Sequence, residues 1–502
     1  MNKIKKYISA FVGLAVLASC TGKFPEYNKN QYEPSSLPLN GFIPGMIDWL
    51  ASPEENPCQR NNTFWGAFGG YVTATNSWSR NNLFSTYNVD DSWNKWTQNE
   101  TFTKIYSNWF QIKAMTGGTG YHYQMAQLFR IHAMVMIASL QGPLPYTQIS
   151  DGALYVPYDN EETAWHALFD DLDAAIDQIA ATTGERPLAD VDRVYYGDNA
   201  KWLKFANTLK LRMAMRISNA DPEFARKKAE EAVAAGVMSS VSESAYDHLD
   251  GRYKNGYYIV GTWGEVKANA TIVAYMNGYN DPRMAAYFTG TGPGARSGVA
   301  GTVPGSWSNH RALSYGETAP MPIMYAAEAA FLRAEGALKG WNMGEGTPQS
   351  FYEEGIRLSF QEWNVSGADE YIANATLTPG DSSDGPYSVT NKSKATIAWN
   401  DAATDEQKLE KIITQKWLAN VPLGLEGWSD FRRTGYPYIF PPYNNLSGGE
   451  CTNERGQRRL RFSEDEYSRN SANTLEAVRM LSSGKDSDGT DLWWALKDGS
   501  KY

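Results

Sequence analysis

Cysteine and histidine are scarce in this chain, with 3 and 5 among 502 residues. The histidines at 122, 132, 166, 248 and 310 show no metal-ligand spacing, and no cysteine cluster accompanies them. The sequence therefore offers no metal centre of the His/Cys kind. Catalytic signatures are missing too: there is no G-x-S-x-G, no H-E-x-x-H and no P-loop. Gly290, Gly292 and Ala295 match a loose dinucleotide fingerprint, but Pro293 denies it the helix that must follow. No cofactor is indicated. Long apolar runs are lacking as well. Ile8 to Ser19 is about a dozen residues, and Met134 to Leu140 ends at Gly142-Pro143, whereas a spanning helix needs roughly twenty. Excess positive charge is also absent, for the formal net charge is −10. An acidic chain repels phosphate backbones, which argues against nucleic acid as a partner.

The short N-terminal run has a function of its own. Lys3, Lys5 and Lys6 precede it, and Leu17-Ala18-Ser19-Cys20 closes it, so residues 1–19 read as an export signal. A cysteine at the cut favours lipidation of Cys20 over an ordinary cleaved signal. The signal carries three lysines and no acid, so its loss takes the net charge from −10 to −13. Residues 20–45, rich in Asn, Pro and Ser, read as a tether. The remaining cysteines, Cys58 and Cys451, form a candidate disulfide in an exported protein; geometry decides that, not spacing.

Residues 46–502 are long enough for a large single domain. Apolar residues at helical spacing predict helices over 121–140, 161–181, 199–218, 222–235, 322–339, 348–363 and 405–418. Asp221 before Pro222 and Gly236 after Ala235 punctuate one of them, and Thr404 with Gln407 forms a capping box for another. Amphipathic helices joined by short links predict a mainly α, repeat-like scaffold, chiefly over 100–236 and 320–363. Segments 56–99, 251–319, 366–400 and 436–456 read as long loops, where function is usually carried.

Those loops hold an unusual share of rings: Trp65, Trp78, Trp93, Trp96, Tyr257, Tyr258, Trp263, Trp307 and Tyr315. A flat ring can stack on a sugar face or a peptide side chain, or it can pin a loop to the scaffold. Trp65, Trp78, Tyr258, Trp263, Trp307 and Tyr315 are the candidate ligand contacts. "KDSDGTD" at 485–491 has spaced aspartates but lacks the closing glutamate of a calcium loop, which favours a capped turn.

Six separated blocks carry a resemblance. "GPLPYTQ" (142–148), "KWLKFANTLKLRMAMRI" (201–217), "NDPRMAAYF" (280–288), "PIMYAAEAAFLRAEGALKG" (322–340), "ITQKWLANVPLGLEGWSDFRRTGYP" (413–437) and "LWW" (492–494) resemble the SusD/RagB family of Bacteroidetes lipoproteins. The resemblance implies a helical fold of four tetratricopeptide-like units anchored to the outer membrane and facing the cell surface. It implies a partner, a SusC-type TonB-dependent transporter barrel, and an oligosaccharide or oligopeptide ligand held without catalysis. A lipid-anchored hydrolase acting on glycans or peptides is the competing expectation. Within the blocks, Asp430, Arg432, Arg433, Arg333 and Glu335 read as structural.

Overall fold

The computed structural model describes residues 37–51, 65–75, 84–150, 152–153, 155–299, 305–495 and 501–502. Cys20, Cys58 and Trp78, with the signal and most of the tether, lie outside them. Among the described residues the chain is mainly helical. Helix α1 (Ile43–Ala51) starts inside the range read as tether. It buries Ile43, Met46, Ile47 and Trp49, so the chain has already joined the core there. Helices α2 (Asp91–Thr116), α3 (Gly120–Gln141), α4 (Glu161–Ala181), α5 (Asn199–Ile217) and α6 (Pro222–Ala235) then pack successively, each against the next. After a region of short elements come α7 (Gly256–Thr262) and α8 (Ala270–Gly278), and then the second helical block. That block comprises α9 (Ala326–Leu338), α10 (Pro348–Glu362), α11 (Asp405–Ala419) and α12 (Gly424–Thr434). Helix α9 packs on α5, α10 and α11 and so joins the two blocks.

Local chemistry sets these boundaries. Asn160, Asp198 and Asp221 cap α4, α5 and α6 by accepting from backbone N–H groups two or three residues on. Thr404 and Gln407 close the expected capping box on α11. Three further expectations are corrected, the first being that 251–319 is loop, since it holds α7 and α8. Residues 91–99 are helix, not loop. The burial of Asn94, Thr97, Gln98 and Thr101 in α2 puts polar side chains where apolar ones would have shown the periodicity. Residues 322–325 do not open a helix: Met321–Met324 form strand β6, paired antiparallel with β2 (Ala245–Asp247). The other ribbons are β1 (Val72–Ala74) with β3 (Val266–Ala268), and β4 (Phe288–Thr289) with β5 (Ala312–Leu313).

Where α5, α9, α11 and α12 meet, four buried cations face four buried carboxylates. Arg212 grips Glu328 in a fork at 2.8 and 2.6 Å, and Arg216 reaches Glu426 at 2.5 Å. Lys416 lies 2.9 Å from Asp430, and Arg433 donates to Glu335 at 2.5 and 2.7 Å and to Asp430 at 3.2 Å. Burial by itself would raise the Asp430 pKa, but Lys416 and Arg433 outweigh it and hold the carboxyl below its ordinary range. Arg432, beside them, lies over the Trp428 ring at 3.6 Å and donates to the Ser139 carbonyl at 2.7 Å. Gly435 ends α12 with φ of +83°, where a side chain would be strained. The structural reading of Asp430, Arg432, Arg433 and Glu335 is what the packing shows.

Candidate ligand site

The short elements between the two helical blocks pack against the β1 segment near the start of the chain. Asn255, fully buried, caps α7 by accepting from Tyr258 N and donates to the Ala319 carbonyl, which fixes α7 on the scaffold. Val72, Val260, Val266 and Leu313 then pack α7, β1, β3 and β5 into one small layer. Thr75 extends the β1–β3 ribbon, donating from its N–H to the Glu265 carbonyl and from its hydroxyl to the Gly264 carbonyl at 2.6 Å.

Beside this layer lies a cavity of about 380 Å³. Ala270, Val273, Ala274 and Asn277 of α8 line one side, residues 291–294 a second, and Arg311 with Asp381, Ser382 and Ser383 the rest. The backbone N–H of Arg311 donates to the Pro293 carbonyl and its own carbonyl accepts from Ala268 N, which fixes the residue between β3 and the glycine-rich wall. Its Nη1 donates to the Gly290 carbonyl at 2.7 Å, while Nε is enclosed without a partner among the described residues. Asp381 accepts from Asn391 N at 2.8 Å. The pair of backbone bonds between Ser382 and Val389 holds that loop, and the His310–Asp384 contact at 3.0 Å ties it to the residues preceding β5. Gly294 lets the wall approach α8: a Cβ there would lie 2.5 Å from the Asn269 carbonyl oxygen. The result is a mainly polar lining of Asn277, Thr291, Arg311, Asp381, Ser382 and Ser383 around small, buried side chains of α8, suited to a polar ligand.

The aromatic candidates separate in three dimensions. Trp263 follows the end of α7 and is 42 % exposed. Tyr258, five residues earlier, is half-buried and lies on a different side of the same short helix. Tyr315 stacks on Tyr257 at 5.1 Å and meets the edge of Trp363 at 6.2 Å, so it is wedged between rings of the protein itself. Trp307 is 2 % exposed and packs on Ala295, Val299 and Tyr387. Trp65 is half-buried and lines a smaller cavity of about 90 Å³ with Trp49, His132, Tyr257, Arg212 and Glu426. There, burial pushes the His132 pKa down to about 3. The structure thus brings Trp65, Tyr257 and Tyr315 near one another, leaves Trp263 open and buries Trp307. Cys451 is buried, its thiol donating to Gln457 Oε1 at 3.4 Å.

Asn277, Arg311, Asp381, Ser382 and Ser383, which line the candidate cavity, belong to no motif legible in the sequence. The one legible signal was the glycine-rich run at 289–301, where backbones must approach closely.

Residues 25–495 match the SusD-like family, described as "Susd and RagB outer membrane lipoprotein". The chain belongs to this family. A SusD-like protein from Bacteroides thetaiotaomicron VPI-5482 superposes with a TM-score of 0.89 at 50 % identity, covering 93 % of this chain and 100 % of that one. A SusD homologue from Bacteroides ovatus ATCC 8483 gives 0.86 at 34 % identity, over 91 % and 99 %. A chitin-binding SusD homologue from Flavobacterium johnsoniae gives 0.88 at 33 % identity, over 92 % and 99 %. A comparison with curated proteins gives no match. The tetratricopeptide-like helical fold is therefore that of the SusD family, and membership supports a nutrient-binding lipoprotein of the outer membrane. No helix among the described residues is long and apolar enough to cross a membrane.

Proposed function

We propose that this SusD-like protein captures an oligosaccharide without altering it and passes it to a SusC-type TonB-dependent transporter, anchored by a lipid on Cys20 at the cell surface. The observation that carries this reading is the polar cavity beside α8. Its Asn, Ser, Asp and Arg groups match the hydroxyl-rich edge of a sugar. A chitin-binding homologue at 33 % identity favours a glycan over a peptide. Trp263, the most open of the described aromatic candidates, serves as the stacking platform; Tyr258 and Trp78 belong to the same proposal. Trp65, Trp307 and Tyr315 act mainly as props for the loops, because their rings are wholly or partly enclosed by the protein. A carrier must release its cargo, so modest affinity from a few stacking and hydrogen-bond contacts suits the role.

A glycan-and-peptide array probed with the mature chain tests the reading. Retention of an oligosaccharide that is recovered uncut supports it. Peptide-only binding overturns the ligand class, and turnover abolished by changing one carboxylate overturns the carrier role in favour of a hydrolase. Purification of the native protein in detergent with a barrel partner supports hand-over, and its isolation alone counts against it. Cys451 stands as a free, buried thiol, against the expected Cys58–Cys451 disulfide; two thiols titrating in unfolded, unreduced protein would agree with this.

A further inference from the structure

Outside the lining of that cavity, Glu162, His166 and Asp221 converge where α4 meets the start of α6. One ligand atom from each, two carboxylate oxygens and an imidazole nitrogen, lie within 4.8 Å of one another. Glu162 and His166 are four apart on α4 and so share one face of the helix. His166 Nε2 stands 3.1 Å from Asp221 Oδ2. The imidazole is held in place from behind, stacked on Phe224 at 4.1 Å with the planes 22° apart, and Phe169 meets the far ring edge-on at 5.3 Å. Asp221 divides its two oxygens: Oδ1 accepts from Phe224 N as the cap of α6, which leaves Oδ2 for the cluster. Lys228 of α6 and Lys210 of α5 both pair with Asp173 of α4, at 2.5 and 2.7 Å, so the helices bearing the three groups are locked together.

We propose that these three side chains form a site for a divalent transition-metal ion of the zinc type. Zinc bonds of about 2.1 Å to nitrogen and oxygen place tetrahedral ligands roughly 3.4 Å apart. The His166–Asp221 separation is already near that value, and Glu162, exposed and on a long side chain, brings a carboxylate oxygen within 4.8 Å of both. One imidazole with two carboxylates is a borderline donor set that favours zinc, nickel or cobalt over calcium or magnesium. The solvent side leaves the fourth position to water. A bound ion would bridge the N-terminal ends of two packed helices and stabilise the native chain by mass action. Spacing among histidines alone could not reveal this site, because two of its three ligands are acids and one lies 55 residues away in sequence.

The test uses the full mature chain, free of any affinity tag. Titration with zinc by calorimetry should give one equivalent bound, and cobalt in its place should give visible d–d bands that zinc bleaches. Glu162→Gln and His166→Gln should each weaken zinc binding at least tenfold, and Asp221→Asn should do the same while keeping the helix cap. Absence of cobalt bands, or zinc binding unchanged in both Glu162→Gln and His166→Gln proteins that melt like the parent, overturns the site and leaves His166–Asp221 as a hydrogen-bonded clamp.

Discussion

Replacing Arg433 by methionine probes the charge cluster that joins the two helical blocks. Arg433 is 1 % exposed and donates twice to Glu335, itself 1 % exposed, and once to Asp430. The substitution keeps the volume but strands the Glu335 carboxylate, whereas Asp430 retains Lys416 at 2.9 Å. Removing one partner of a buried pair costs about 3–5 kcal/mol, far above the 0–1 kcal/mol of an exposed pair. A second change, Glu335→Met, removes the stranded charge and should recover most of that loss, since apolar replacement of a whole buried pair is close to neutral. Denaturant melts of the parent, both single variants and the double variant form a double-mutant cycle, with an expected coupling energy above about 2 kcal/mol. An Arg433→Met protein within about 1 kcal/mol of the parent, or strictly additive effects, would refute the view that this pair is a buried joint.

Three further outcomes follow from the same packing. Gly294→Ala forces a Cβ against the Asn269 and Ala270 backbone, so it should cost about 1–3 kcal/mol in melting experiments and weaken ligand capture by moving the cavity wall. Trp263→Ala should leave stability within about 0.5 kcal/mol while lowering oligosaccharide affinity, whereas Trp307→Ala should lose about 3–5 kcal/mol of stability; the reverse pattern would exchange their roles. Burial pushes the Asp488 pKa up to about 7, with Glu450 and Asp486 nearby adding to the rise against Arg461 and Arg459. The native carboxyl therefore keeps its proton between about pH 4 and 7 where the unfolded one has lost it, so this residue makes stability fall as pH rises through that window. Thermal melts from pH 5 to 8 should show a shallower decline in Asp488→Asn, and an unchanged slope would rule Asp488 out as its source.

Helices α3 to α6 and α9 to α11 were legible because their caps and apolar faces are local properties, whereas α1, α2, α7, α8 and α12 were not read as helices. Asp221-Pro222 and Thr404 with Gln407 mark helix starts wherever such sequences occur. Helix α2 escaped notice because its core-facing side carries Asn94, Thr97, Gln98 and Thr101, whose burial depends on partners elsewhere, such as the Arg461 carbonyl that accepts from Asn94. Strand β6 was hidden for the same reason, since its partner β2 lies some 75 residues earlier. The candidate ligand site was legible only as a set of loops rich in rings. Which rings are open depends on how the loops fold back: Trp307 disappears beneath Tyr387, and Trp263 emerges only because α7 ends there. The lining of the polar cavity, drawn from positions 270 to 383, has no local signature.

In the function proposed for this protein, cargo is held in the cavity bounded by α8, Arg311 and the 381–383 loop, and leaves it intact. Calorimetric titration of an array-selected oligosaccharide into the parent protein and into Arg311→Ala measures this most directly, with the sugar recovered afterwards for mass analysis. The expected result is at least a tenfold loss of affinity in Arg311→Ala at unchanged melting temperature, with the sugar at its original mass. Equal affinity in both proteins, or a shortened sugar, would contradict the claim.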